Sequence, residues 1–174
     1  CAYILKKGNL MASSMDGLEG VTQLNLRNIK VMPFIVTKDS ISIANKVISV
    51  NGGNQYPFIE GNTKNIGVPK VAIIRARFVS SDKIFVDELG DTTNSWKASM
   101  PLYEGQLNGA KSVFGSKLGR CFFQIMGGPA GQSQTGILQN MPFVDLTRSW
   151  TDEELYKHFG LTQEEIDYVE ANVK

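Results

Sequence analysis

PKVAIIRARFV, residues 69–79, is the stretch on which the fold turns. A two-residue period puts Ala72, Ile74, Ala76 and Phe78 on one face and Val71, Ile73, Arg75, Arg77 and Val79 on the other, as a strand requires. A strand with two arginines on one face turns that face away from a core or into a cleft. Residues 83–89 follow across residues 80–82 at hairpin spacing and read as its partner.

Outward from this hairpin the period changes. Between Ala110 and Met126 the apolar residues Val113, Phe114, Leu118, Cys121, Phe122, Ile125 and Met126 recur at helical spacing. Gly115 and Gly119, four apart, weaken that helix but would let another element approach closely. GGPAGQSQTG (127–136) reads as a loop and ILQNMPFVDL (137–146) as a final strand or extended segment. The chain then closes on two capping boxes with staples. Thr151 and Glu154 stand beside Trp150 and Leu155, and Thr162 and Glu165 beside Leu161 and Ile166. Two short helices joined at Gly160 follow.

Upstream, NGGNQYP (51–57) is turn chemistry. Asp39 can cap a helix to about Val50, with Ile41, Ala44, Val47 and Ile48 on one face. Residues 29–36, IKVMPFIV, form a strand candidate bent at Pro33, residues 8–28 a connection, and CAYILKK (1–7) a short buried strand. The expected fold is α+β, with a mixed or antiparallel sheet, packed helices and a C-terminal helix pair. Three segments are expected: 1–50, a body at 51–148, and the helix pair at 149–174.

The 174 residues suit one compact unit or one with a small appendage. With 42% hydrophobic and 20% charged residues there is material for a core. The net charge of +1 hides an asymmetry. Residues 151–174 hold seven acidic against two basic side chains, so residues 1–150 hold 10 acidic against 16 basic. A basic body with an acidic tail permits a polyanionic partner. Two cysteines, Cys1 and Cys121, suit a reducing cytosol better than a disulfide scaffold, which makes the expected location cytoplasmic. The longest uncharged run, 121–144, is broken by four glycines, two prolines and four glutamines, so no membrane span is expected. Lys6 and Lys7 follow the apolar CAYIL run instead of preceding it, so it does not read as a signal peptide, and a chain opening on Cys reads as a fragment of a longer protein.

Inventory argues against most local chemistry. His158 is the one histidine and lies on an acidic helix, so neither a zinc site nor a Ser–His–Asp arrangement is expected. GQLNGAKS (105–112) misses the phosphate-loop pattern because Ala110 separates the second glycine from Lys111. Asp87, Glu88, Asp91 and Lys97 lack the spacing of a magnesium nuclease and read as solvated hairpin charges. Residues 64–120 are more informative, with nine basic against five acidic side chains. Lys64, Lys70, Arg75, Arg77, Lys83, Lys97, Lys111, Lys117 and Arg120 could neutralise several phosphates, although ordinary solubilising charge has the same composition. Asn94, Gln132 and Gln134 could add contacts to base edges.

The run MPFVDLTRSWTDEELYKHFGLTQEEIDYVE (141–170) resembles the closing segment of adenine-specific DNA methyltransferases of restriction-modification systems. Trp150, Thr151, Asp152, Leu155, Tyr156, Gly160, Leu161, Thr162, Glu165 and Ile166 carry the likeness. CAYILKKGN (1–9), IANKVIS (43–49), VPKVAIIRA (68–76) and SKLGRCFF (116–123) are similar, in order, to that family's last catalytic-sheet strand, the next helix, the strand opening its target-recognition segment, and the helix before its final strand.

The resemblance implies the target-recognition region of an adenine-N6 enzyme that flips its base and takes a methyl group from S-adenosylmethionine. No glycine-rich cofactor motif and no Asn/Asp-Pro-Pro-Tyr/Phe motif occurs here, so this chain is expected to hold no catalytic, cofactor or metal residue. The expected partners are duplex DNA and a catalytic domain or separate methylase subunit. The competing reading is a stand-alone specificity or interaction subunit that docks on a methylase or nuclease through its acidic tail. An unrecognised hydrolase carries the least weight.

Overall fold

The computed structural model describes residues 2–6, 9–13, 23–25, 35, 37–60, 67–74, 84–90, 96–127 and 134–173. It divides into two compact units, residues 1–32 and 33–174. In the first, β1 (Ala2–Lys6), β2 (Asn9–Ser13) and β3 (Gln23–Asn25) form an antiparallel sheet in that order. The expected strand at 1–7 is therefore present, whereas the stretch read as a connection supplies two more strands.

The second unit is α+β. Its sheet holds β4 (Ile59–Glu60), β5 (Lys70–Ile74), β6 (Ile84–Asp87) and β7 (Trp96–Pro101) in the order β4-β7-β5-β6, all antiparallel. The β5–β6 hairpin is the one expected, with Val71 opposite Val86 and Ile73 opposite Ile84. The strand β7 was not expected, and it places β5 inside the sheet. Val71, Ala72 and Ile73 are all 0% exposed, so both faces of β5 are buried over its described part. The solvent-turned face assigned from alternation does not hold there. Arg75 and Arg77 themselves lie outside the described residues.

Six helices are found among the described residues of the unit. The first, α1 (Lys38–Asn51), is capped by Thr37 in a capping box with Ser40, so Asp39 is a first-turn residue and not the cap. Its buried face is the expected one, Ile41, Ala44, Val47 and Ile48, joined by Ile43. The single helix expected between 110 and 126 is two, α2 (Leu107–Phe114) and α3 (Lys117–Met126). The break is chemical: the Ser116 side chain accepts from the Gly119 N–H and starts a new helix. A short helix, α4 (Gln134–Gln139), replaces part of the expected loop and strand. Both terminal helices, α5 (Asp152–His158) and α6 (Gln163–Asn172), carry the expected capping boxes. Gly160, at φ 65°, ends α5 as its position requires. Its N–H and that of Leu161 return to the carbonyls of Lys157 and Tyr156, which satisfies the last turn.

The centre of the helical layer is α3, which packs against each of the other five helices. Leu118, Phe122, Phe123 and Ile125 are at most 1% exposed, and burial of each stabilises the fold by about 1.5–3 kcal/mol. The layer meets the sheet through α2 against β6 and α4 against β7. Close packing also depends on Gly109 in α2, where an added Cβ would lie 2.0 Å from the Leu146 carbonyl oxygen.

Residues 140–146 leave α4 outside any described helix or strand, so their buried backbone groups need side-chain partners. Asn51 and Tyr56 supply them. The Asn51 amide donates to the Asn140 and Met141 carbonyls at 3.2 and 3.0 Å and accepts from the Phe143 N–H at 2.9 Å. The Tyr56 hydroxyl lies 3.1 Å from the Pro142 carbonyl, and it accepts from the Val144 N–H at 3.1 Å. The NGGNQYP motif is thus a clamp as well as a turn.

Candidate nucleic-acid interface

The corner between α2 and α3 brings two of the sequence-selected cations to one place. Lys111 on α2 and Arg120 on α3 line an open cleft of about 440 Å³ whose apolar wall is Ile84, Phe85 and Val86 of β6 with Phe114. Nine positions separate them, and a continuous helix would set them on opposite flanks; the break at Gly115–Ser116 turns both toward β6. Lys111 is exposed and pairs with the half-exposed Glu88 carboxylate at 2.6 Å. Such a pair contributes little to stability in water, so the ammonium can exchange a carboxylate for a phosphate. Arg120 is half-buried and already engaged by neighbouring groups.

Lys70 and Lys117, the other selected residues whose side chains are described, do not line this cleft. Lys70 is 0% exposed, with its ammonium 2.9 Å from Asp87 and donating to the Val68 carbonyl at 3.2 Å. A buried ammonium facing a buried carboxylate cannot reach a duplex. Lys117 sits on α3 against Glu170 of α6. Glu170 raises the Lys117 pKa, while Lys117 and then Tyr156 hold the Glu170 carboxyl below its usual range. Lys97 and Gln134 lie in β7 and α4, and their side chains are outside the described set. Lys64, Arg75, Arg77, Lys83, Asn94 and Gln132 also lie outside it.

The acidic tail proves to be a partner of the body's cations. Lys38, Lys46, Lys117 and Arg148 face Glu164, Glu165, Glu170 and Glu154 respectively. Glu165, only 5% exposed, has a second task. It closes the α6 capping box and also accepts from Ser42 at 2.5 Å and Lys46 at 2.6 Å on α1. Burial opposes its ionisation, but Lys46, Ser42 and the Thr162 N–H prevail and keep its carboxyl below the ordinary glutamate range.

Arg148 went unselected in the sequence. Its guanidinium stacks 3.5 Å from the centre of the Trp150 ring and bonds Glu154 at 2.9 Å, a rigid cation at the surface. The signal was the Arg-x-Trp spacing just ahead of a helix cap. Cys121 is fully buried, and burial pushes its thiol up to about 12, which leaves it un-ionised at neutral pH. Among the described residues no group of three or more His, Cys, Asp or Glu could hold a metal ion, and no helix is long and apolar enough to cross a membrane. No protein-family model matches the chain, and neither curated proteins nor solved structures provide a match.

Proposed function

We propose that this chain recognises duplex DNA as the target-recognition part of an adenine-N6 DNA methyltransferase, working in the cytoplasm, with S-adenosylmethionine and the methyl-transfer chemistry held elsewhere. The convergence of Lys111 and Arg120 on one cleft carries the reading within the fold. Phosphates held at such a cleft position a duplex, and separate contacts to base edges read its sequence. The 141–170 likeness supports the family assignment, and the capped helix pair it spans closes the core through Leu155, which is 0% exposed. The acids of that pair hold the body's own cations, so they brace the fold and stand apart from the DNA.

The test is duplex affinity by fluorescence anisotropy across a salt series. The logarithm of the association constant should fall with the logarithm of salt at about 0.9 per phosphate engaged. The Lys111→Glu, Arg120→Glu double variant should flatten that slope by about two phosphates' worth. Salt-independent binding, or none at low salt with a folded chain, would overturn the proposal.

A further inference from the structure

A second cleft, of about 390 Å³, opens between residues 55–57, the end of β7 with the turn that follows it, and residues 143–146. Its floor includes Met100 and Leu146, both buried. Its lips are aromatic: Tyr103 is 71% exposed on the turn, and the Phe143 ring, half-buried, leans on Tyr56 with centroids 4.8 Å apart. A tyrosine ring so far into water on a braced turn is a surface ready to be covered. The bracing is mutual, since the Tyr103 N–H donates to the Gln106 side chain at 3.0 Å and the Gln106 N–H to the Tyr103 carbonyl at 3.0 Å.

The polar groups around these rings include the acceptor oxygens of Asp145 and Gln55. Asp145 is the one charged residue in the lining. Its carboxylate is pinned by the Thr147 N–H and hydroxyl at 2.7–2.8 Å, and a carboxylate has further lone pairs to offer. The Gln55 amide nitrogen is taken up by Asn140 at 3.1 Å, which leaves its carbonyl oxygen to accept. No lysine, arginine or histidine lines the cleft. A phosphate or carboxylate ligand would meet an ionised acid, and Arg148, whose charge reaches Asp145, is held outside the lining by Glu154 and the Trp150 ring. A flat cation with several N–H donors would find π-faces to stack on and oxygens to bond.

We propose that this cleft binds a guanidinium group, the arginine side chain of a partner polypeptide. The surface is distinct from the Lys111–Arg120 cleft and opposite to it in sign, so it would serve a protein contact while the other serves DNA. The proposal stands independently of the DNA reading.

The experiment titrates the chain with N-acetyl-arginine amide, its uncharged isostere N-acetyl-citrulline amide, and adenosine monophosphate. The Trp150 indole N–H signal is the reporter, because that group donates to the Asp145 carbonyl at 2.7 Å. Arginine amide should shift this signal saturably and bind about tenfold more tightly than the citrulline compound, the margin expected of a charge-assisted bond. Asp145→Asn should erase that preference, and Tyr103→Ala should weaken arginine binding about threefold, as loss of one exposed cation–π contact would. Equal binding of arginine and citrulline compounds, a stronger response to adenosine monophosphate, or an arginine preference that survives Asp145→Asn would each overturn the proposal. Circular dichroism of both variants separates a lost site from a lost fold.

Discussion

Gly109 fixes how closely α2 can lie against the segment leaving α4. A methyl group there would meet not a pliable side chain but backbone, the Leu146 carbonyl at 2.0 Å and that of Arg148 at 2.6 Å. Gly109→Ala is therefore expected to destabilise the chain by about 1–3 kcal/mol, the usual cost of overpacking, although alanine favours helices. Urea unfolding would show the midpoint falling. A midpoint that rises would mean the contact is looser than described. Sequence periodicity pointed to Gly115 and Gly119 as the close-approach positions. Gly119 does face the Val113 carbonyl, at 2.4 Å from an added Cβ, but that contact is the corner of α2 on α3. The approach by a distant segment is at Gly109, which a sequence cannot reveal because the partner lies far along the chain.

At the scale of elements, Glu165 joins two helices through one carboxylate. Its folded pKa lies below the ordinary value, so its contribution is present in full above the unfolded glutamate pKa of about 4.3. That contribution is lost as pH falls through the lower, folded value. Glu165→Gln should reduce stability at neutral pH and flatten the acid limb of a stability–pH curve below about pH 4.3. A wild-type and variant curve that stay parallel through that limb would remove the linkage. Elements governed by local chemistry were legible in advance, above all α5 and α6, because a cap and its box span four residues. The helix read as continuous across Gly115 was not, since Val113, Phe114, Leu118 and Phe122 keep a helical period while Ser116 restarts the hydrogen bonding. Trp96, Ala98 and Met100 alternate as a strand should, and that signal for β7 was there to be found. For α4, glycine and glutamine at 134–139 mimic a loop, and tertiary packing on β7 overrides them.

For the whole molecule, what decides a polyanion's affinity is which positive charges remain exchangeable, not how many there are. The body's excess of basic residues is plain in the sequence, yet in the fold Lys70 is buried against Asp87 and Lys46 is held by the buried Glu165. Lys38, Lys117 and Arg148 sit in exposed pairs like that of Lys111, but beside the acids of the terminal helices. The convergence of Lys111 with Arg120 was not legible, because it depends on the α2–α3 corner. Lys117→Ala should leave duplex affinity and its salt slope within about twofold of the parent, whereas Lys111→Ala should lower both by one phosphate contact. Equal losses from the two would place the duplex across α3 instead of against β6.

The strand order also bears on how the protein is made. Within the described sheet β4 bonds only to β7, and both neighbours of β5 come after it in the chain. As the polypeptide leaves the ribosome, Val71 and Ile73 must wait uncovered until residue 101 and the helices beyond it have emerged. A translational pause in that interval would hold a sticky, half-built sheet open to aggregation and to chaperone capture.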